Sequence, residues 1–99
     1  MHNQAFSVRP ARTANEDQQS VSVSTTSAAT SNTIGRTSAV VYCTVECFIV
    51  ANASPTATVA MGTPIPAYTL VPIDGFNETD KIAAITASGT GTLYIRPRA

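Results

Sequence analysis

Ninety-nine residues with a formal net charge of zero allow one domain and one core, and supply no whole-molecule field that favours nucleic acid or an acidic membrane surface. Charged residues make up 12 % of the chain, about half of the ~25 % usual in soluble domains, and Ser, Thr and Ala stand in their place. A surface so poor in charge suits contact with other proteins, because interface cores are depleted in charge; the plainer reading is a polar, uncharged exterior.

Residues 1–19 read as an extended N-terminal arm ahead of a domain over 20–99. The arm is polar and charged, with Arg9, Arg12, Glu16 and Asp17, and only Phe6 and Val8 offer apolar anchors. A short strand around Phe6–Arg9 is the most structure expected there, and such an arm takes its order, if any, from a neighbour. The opening Met1-His2-Asn3-Gln4-Ala5-Phe6 lacks the basic start and apolar stretch of a secretory signal. No run approaches the ~20 apolar residues that span a bilayer, so the expected site of synthesis is the cytoplasm.

Strict alternation begins at Ser20-Val21-Ser22-Val23-Ser24, the pattern of a half-buried strand. Ser27 to Arg36, rich in Ser, Thr, Asn and Gly, reads as a loop. Strands are expected at Ala39–Cys43 and Cys47–Ala51, with a turn at Thr44-Val45-Glu46 between them. Asn52-Ala53-Ser54-Pro55 is a turn, and Thr56 to Met61 reads as a strand ending at Gly62. Pro64 and Pro66 keep their segment out of any central strand. Tyr68 to Val71 reads as a strand stopped by Pro72, and Ile73 to Asp80 as an acidic loop. Lys81 to Ala87 suits a strand better than a short helix, given the turn at Ser88-Gly89-Thr90-Gly91, and Thr92–Arg96 is the last strand. Seven or so short strands spaced near ten residues apart predict an all-β fold, a small antiparallel sandwich or jelly-roll-like barrel.

Two strands are apolar on both faces. Val40 and Tyr42 oppose Ala39, Val41 and Cys43, while Phe48 and Val50 oppose Cys47, Ile49 and Ala51. A lone two-layer sandwich keeps its outer faces polar. A cover is therefore expected: the arm, a neighbouring subunit or a shell.

Residues able to carry chemistry are few. The single histidine, His2, sits in the arm, which argues against a Cys–His dyad. Asp74, Glu78 and Asp80 crowd one loop without the ligand spacing of a calcium loop. Cys43 and Cys47 would stand about 13 Å apart in one continuous strand, beyond disulfide reach; a tight turn between them would let them face each other. They amount to half a zinc site at most, and buried free thiols are the leading reading. Gly89-Thr90-Gly91 joins two strands and is too short for a phosphate loop. Neither a cofactor nor a metal is expected, and nothing assembles into a catalytic set. Basic charge gathers at the ends, Arg9 and Arg12 in the arm and Arg96 and Arg98 at the tail. With the acidic loop they suggest a complementary contact between copies. No aromatic residues interleave with these arginines as a single-stranded nucleic-acid surface would require.

Three stretches in the middle of the chain, Val45-Glu46-Cys47-Phe48-Ile49-Val50, Ser54-Pro55-Thr56-Ala57-Thr58 and Pro64-Ile65-Pro66-Ala67, occur in an order and spacing that resembles a group of small bacteriophage virion proteins. The ending adds to it, with Asp80-Lys81-Ile82-Ala83-Ala84-Ile85 and Ser88-Gly89-Thr90-Gly91-Thr92-Leu93-Tyr94-Ile95. The likeness covers roughly residues 38–96. It implies a structural role without catalytic residues: a head-decoration (cement) protein, or a minor head or tail component, located in the virion. The expected partners are the major capsid protein or another virion protein and further copies of the chain, a trimer being favoured, with no nucleic acid and no membrane. The residues expected at such contacts are Phe6, Val8, Arg9, Arg12, Asp74, Glu78, Asp80, Arg96 and Arg98. The rival reading is a receptor- or carbohydrate-binding module of a tail or fibre, for which Tyr42, Tyr68 and Tyr94 would be the exposed rings.

Overall fold

The computed structural model describes residues 18–97. Its strands are β1 (Gln19–Val23), β2 (Ala28–Ala29), β3 (Ser38–Cys43), β4 (Cys47–Asn52), β5 (Thr63–Ile65), β6 (Val71–Asp74), β7 (Lys81–Ile85) and β8 (Gly91–Pro97). They form two four-stranded sheets, in the orders β1-β8-β3-β6 and β2-β7-β4-β5. The pairs β4–β5, β3–β6, β2–β7 and β1–β8 are all antiparallel and nest inside one another. The chain is thus one long hairpin rolled over on itself, with β3–β8 and β4–β7 contacts completing each sheet. That connectivity is the jelly roll, and it gives the expected all-β sandwich its topology. The arm expected over residues 1–19 lies outside the described residues except for its last two; Gln19 already belongs to β1.

The core follows from the pleat, which sends alternate side chains to opposite faces. From the first sheet Val21, Val23, Ala39, Val41, Cys43, Leu93 and Ile95 point inward; from the second come Cys47, Ile49, Ile65, Ile82 and Ala84. Ile34 and Phe76 close the core from loops. Among the described residues three polar side chains are buried, Thr30, Asp80 and Thr86, and each is hydrogen-bonded. Thr30 Oγ1 donates to the Asn32 carbonyl (2.9 Å) and accepts from the Ile82 amide (3.3 Å), Thr86 Oγ1 donates to the Gly89 carbonyl (2.8 Å), and the Asp80 carboxylate accepts the Asn77 amide (3.0 Å). Each of these groups thus has at least one partner, as buried polar groups require.

Prolines mark the sheet edges. Pro64 lies in β5 and Pro72 in β6, and each strand ends its sheet, where a missing ladder donor costs nothing. Pro72 was expected to stop a strand over Tyr68–Val71. The strand instead starts at Val71 and runs through Pro72, while Tyr68 adopts a left-handed backbone, φ 57°, which no strand accommodates. The strand expected over Thr56–Met61 is also absent. Its alternation belongs to a turn, in which the Gly62 amide donates to the Thr58 carbonyl (2.8 Å) and the Met61 amide to Thr58 Oγ1 (3.1 Å). Within the loop expected over Ser27–Arg36, the two residues of β2 pair with β7, and Ile34 enters the core. Gln19 clamps this stretch, donating to the Asn32 and Thr33 carbonyls and accepting from the Asn32 amide.

That turn explains how the second sheet covers its outer face. Phe48 stands opposite Ile85 and Val50 opposite Ala83, all directed away from the core. After β4 the chain reaches the far edge of the sheet, where the Ala57 amide donates to Ser27 Oγ (2.8 Å) and Ala57 is buried. It must then return to begin β5 on the opposite side of β4, and on the way it passes against Phe48 on that outer face. Gly62 lies so close that a Cβ there would sit 2.7 Å from Phe48 Cβ and 3.0 Å from the Phe48 and Thr58 backbones.

Cys43 and Cys47 do not flank a hairpin. Residues 44–46 carry the chain from one sheet to the other, and both thiols are free and buried in the core at that crossing. Burial, and then the neighbouring Cys43 thiol, push the Cys47 thiol from 9.0 up to about 12.

Two predictions follow from this packing. Gly62→Ala should destabilise the fold by about 1–3 kcal/mol, since backbone rather than a flexible tip blocks the new methyl; urea unfolding measures it, and an unchanged midpoint would refute the close approach. The raised Cys47 value makes its contribution complete below pH 9.0, with stability falling as pH climbs from there toward 12. The urea midpoint of the wild type should drop over that window more steeply than that of Cys47→Ala; equal slopes would contradict the assignment.

Candidate functional site

The outer face of the first sheet has no comparable cover among the described residues. Its centre is a cross-strand pair: Tyr42 of β3 lies directly opposite Tyr94 of β8, with ring centroids 6.4 Å apart and planes inclined at 44°. The pleat adds Val40 and Arg96 on the same face, themselves opposite one another one step along. Facing pairs of this kind are the units that stabilise a sheet surface.

A third ring arrives from a different part of the chain. Ala67 bridges Cys43 in parallel fashion, and the Tyr68 amide donates to the Cys43 carbonyl at 2.7 Å. That anchor, with the left-handed φ of Tyr68, swings the ring to 6.3 Å from Tyr42 in an edge-on arrangement at 66°. A left-handed backbone in a residue with a Cβ costs about 1–2 kcal/mol. Such strain is retained where the surroundings determine it, commonly at working surfaces.

Together these residues leave a large apolar surface open. Tyr68 is 69 % exposed, Tyr94 46 % and Leu70 41 %. Between Val40, Tyr42, Leu70 and Tyr94 lies a depression of about 230 Å³, rimmed by Gln18 and Arg96. Gln18 Oε1 accepts a hydrogen bond from Arg96 Nε at 3.2 Å. Beyond the rim the exposed residues of β1 are Ser20 and Ser22, polar and uncharged. All three tyrosines of the chain belong to this one cluster. The arrangement offers aromatic faces, hydroxyl tips and one guanidinium for contact.

The residues expected at contacts fall in different places. Arg96 stands on the rim of the tyrosine face. Asp74 is exposed at the end of β6, and Glu78 is exposed in the following loop, where its carbonyl accepts the Gly35 amide. Asp80 is 8 % exposed, so it is no solvated loop tip; its carboxylate turns inward and holds the loop through Asn77. Asp74 and Asp80 also border a second depression of about 320 Å³ with Ile49, Ile73 and Phe76. Pro97 and Ile73 both pair with Ala39, so the basic end of β8 and the acidic loop lie at the same end of the first sheet rather than at opposite poles. Phe6, Val8, Arg9, Arg12 and Arg98 lie outside the described residues.

The three tyrosines are visible in the sequence as candidate rings, although as isolated strand residues. Sequence reading missed Leu70, because its segment was assigned to a strand, and Gln18, because it was counted with the arm. Among the described residues no three of His, Cys, Asp and Glu come together as a metal would require. Comparison of the chain with known protein families, with curated proteins and with solved structures finds no match.

The strain at Tyr68 is testable. Tyr68→Gly should leave stability within about 1 kcal/mol of wild type, because relief of the left-handed backbone offsets the lost contact and the entropy of glycine. Tyr68→Val should cost about 1–2 kcal/mol, as a branched side chain tolerates that backbone least. Urea titration of both variants reads the difference, and equal losses would show that backbone strain is not the deciding term.

Proposed function

We propose that this chain is a structural protein of a bacteriophage virion, a decoration or cement protein that binds the major capsid protein and neighbouring copies, and that the tyrosine face makes the contact. The observation that carries the reading is the cluster of Tyr42, Tyr68 and Tyr94 with Leu70 around the buried Val40 on one sheet face, with Tyr68, Tyr94 and Leu70 exposed. The resemblance over residues 38–96 supports it from the side of the sequence.

Tyrosine is enriched at the energetic centres of interfaces because a rigid ring buries much area while its hydroxyl still finds a partner. The Ser and Thr residues around the cluster lose water at lower cost than charged groups would. A stable isolated complex buries roughly 800 Å² per partner, and a lattice asks less of each contact. A decoration protein needs no more. Repetition over a symmetric lattice, with a closed trimer as the unit, multiplies weak contacts into firm attachment. The mechanism is binding, and no bond is made or broken.

The same cluster also favours a second reading, a receptor- or carbohydrate-binding module, since exposed rings beside Gln18 and Arg96 suit a sugar. A carboxylate beside the rings would strengthen that case, and the depression is lined by none.

Cosedimentation of the purified chain with phage heads that lack it tests the proposal. Saturable binding is expected, and Tyr94→Arg should weaken it by about 2 kcal/mol as a central interface residue would while leaving the unfolding midpoint in place. Failure to bind heads, together with capture by immobilised glycans, would replace this reading with the second.

A further inference from the structure

We infer that the outer edge of β1 is a contact between two copies of this chain. The copies pair their β1 strands antiparallel about a two-fold axis at Val21, which joins their four-stranded first sheets edge to edge. This contact goes beyond the proposed function and uses the sheet edge instead of the tyrosine face.

The ladder shows which way the backbone of β1 points. The Thr44 amide donates to the Thr92 carbonyl at 3.1 Å, and the Thr92 amide donates to Thr44 Oγ1 at 3.0 Å, so both backbone groups of Thr92 turn toward β3. Backbone groups alternate in direction along a strand. Gly91, Leu93 and Ile95 therefore turn toward β1, where they stand opposite Val23, Val21 and Gln19. Ser20 and Ser22 then aim their amides and carbonyls away from β8, out of the edge of the sheet. The open stretch ends at Ser24, whose carbonyl accepts the Thr86 amide at 2.8 Å. Among the described residues no turn or loop backbone bonds to Ser20 or Ser22.

The other three edges are closed to a visiting strand. β2 is two residues long, and β5 and β6 carry Pro64 and Pro72. Short length, proline and charge are the usual means of blunting an edge. β1 has none of them; it is five residues of Gln, Ser and Val. A neighbouring copy thus offers one edge that can take β1, and that edge is β1 itself.

Self-pairing also fits in register. Ser20-Val21-Ser22 reads the same in both directions, so with Val21 opposite its own counterpart each Ser20 stands opposite a Ser22. The outward groups of the serines then meet amide on carbonyl, and no like charges are brought together. Such a contact is isologous and closes on itself, which gives a dimer and not a fibre. It also sets two tyrosine clusters on one continuous surface, with Tyr94 and its counterpart three strand spacings apart, about 14 Å across the strands.

Sedimentation of the full chain over a wide concentration range, with amide hydrogen exchange followed by NMR at the same concentrations, tests the contact. A reversible dimer is expected. Where it fills, exchange at the Ser20 and Ser22 amides should slow by about tenfold or more and recover on dilution, while Gln19, Val21 and Val23, bonded to β8, stay protected throughout. Ser22→Pro removes a donor that the monomer leaves unused, on an edge strand where proline is tolerated. It should weaken dimerisation by about tenfold or more and leave the unfolding midpoint of the dilute protein in place. A monomer at every concentration, with Ser20 and Ser22 exchanging freely, would overturn the inference. Protection that does not change on dilution would assign the edge to the chain's own residues and overturn it equally. A trimer, or a dimer indifferent to Ser22→Pro, would place the contact elsewhere. Should Ser22→Pro fail to fold, the exchange of the wild type decides alone.

Discussion

In the pairing of β3 with β8, Val41 stands opposite Ile95 and Tyr42 opposite Tyr94. The first pair lies in the core and the second on the outer surface, and one register sets both. Because side chains alternate along a strand, a slip by one residue would carry the tyrosines inward and Val41, Ile95 and Leu93 out to water. Each of those three is fully buried, and burial of such a side chain is worth about 1.5–3 kcal/mol. The core therefore holds the exposed rings in place. β3 and β8 are also the two central strands of their sheet, so the face rests on the part of the fold with the most support on either side.

The two sheets treat a shared problem differently. Both carry apolar residues on the side away from the core. On the second sheet residues 53–62 run back from the far edge and pass against Phe48, and the Ala57–Ser27 hydrogen bond and the close approach of Gly62 hold that strap down. The first sheet has no such strap among the described residues, and Tyr68, brought in by the segment after β5, enlarges its apolar surface instead of shielding it. The exposed apolar area that results is the kind of surface on which the proposed contact rests. The left-handed backbone at Tyr68 points the same way, because stability alone would favour Gly or Asn at that position.

Much of the fold was legible in the sequence. Alternation located β1, and apolar, strand-forming runs bounded by turn residues located β3, β4, β7 and β8, each to within a residue or two. Apolar residues on both sides of β3 and β4 led to the expectation of a cover over each sheet, and among the described residues only the second sheet has a strap. The proline positions restricted the segments around Pro64 and Pro72, and both became edge strands. The errors have a common cause. Thr56–Met61 alternates, yet of its apolar positions only Ala57 is buried while Val59 and Met61 are exposed, and alternation alone cannot tell a turn-forming loop from a paired strand. Tyr68–Leu70 looked extended, but its geometry is set by a bond to Cys43, twenty-five residues away.

By itself, then, the sequence determined the class of fold, the period-two pattern that sorts core from surface, the scarcity of charge and the presence of three tyrosines among strand-forming residues. Those are properties of neighbouring residues, and local chemistry writes them directly into the chain. The tertiary structure alone decided that the strands nest as a jelly roll, that Cys43 and Cys47 face the core across a crossing between sheets, that Asp80 is buried, and that Tyr42, Tyr68 and Tyr94 meet on one face. Each of those depends on which distant segments pair. Pairing is chosen by the joint burial of both sheets, a quantity that no single stretch of the chain contains.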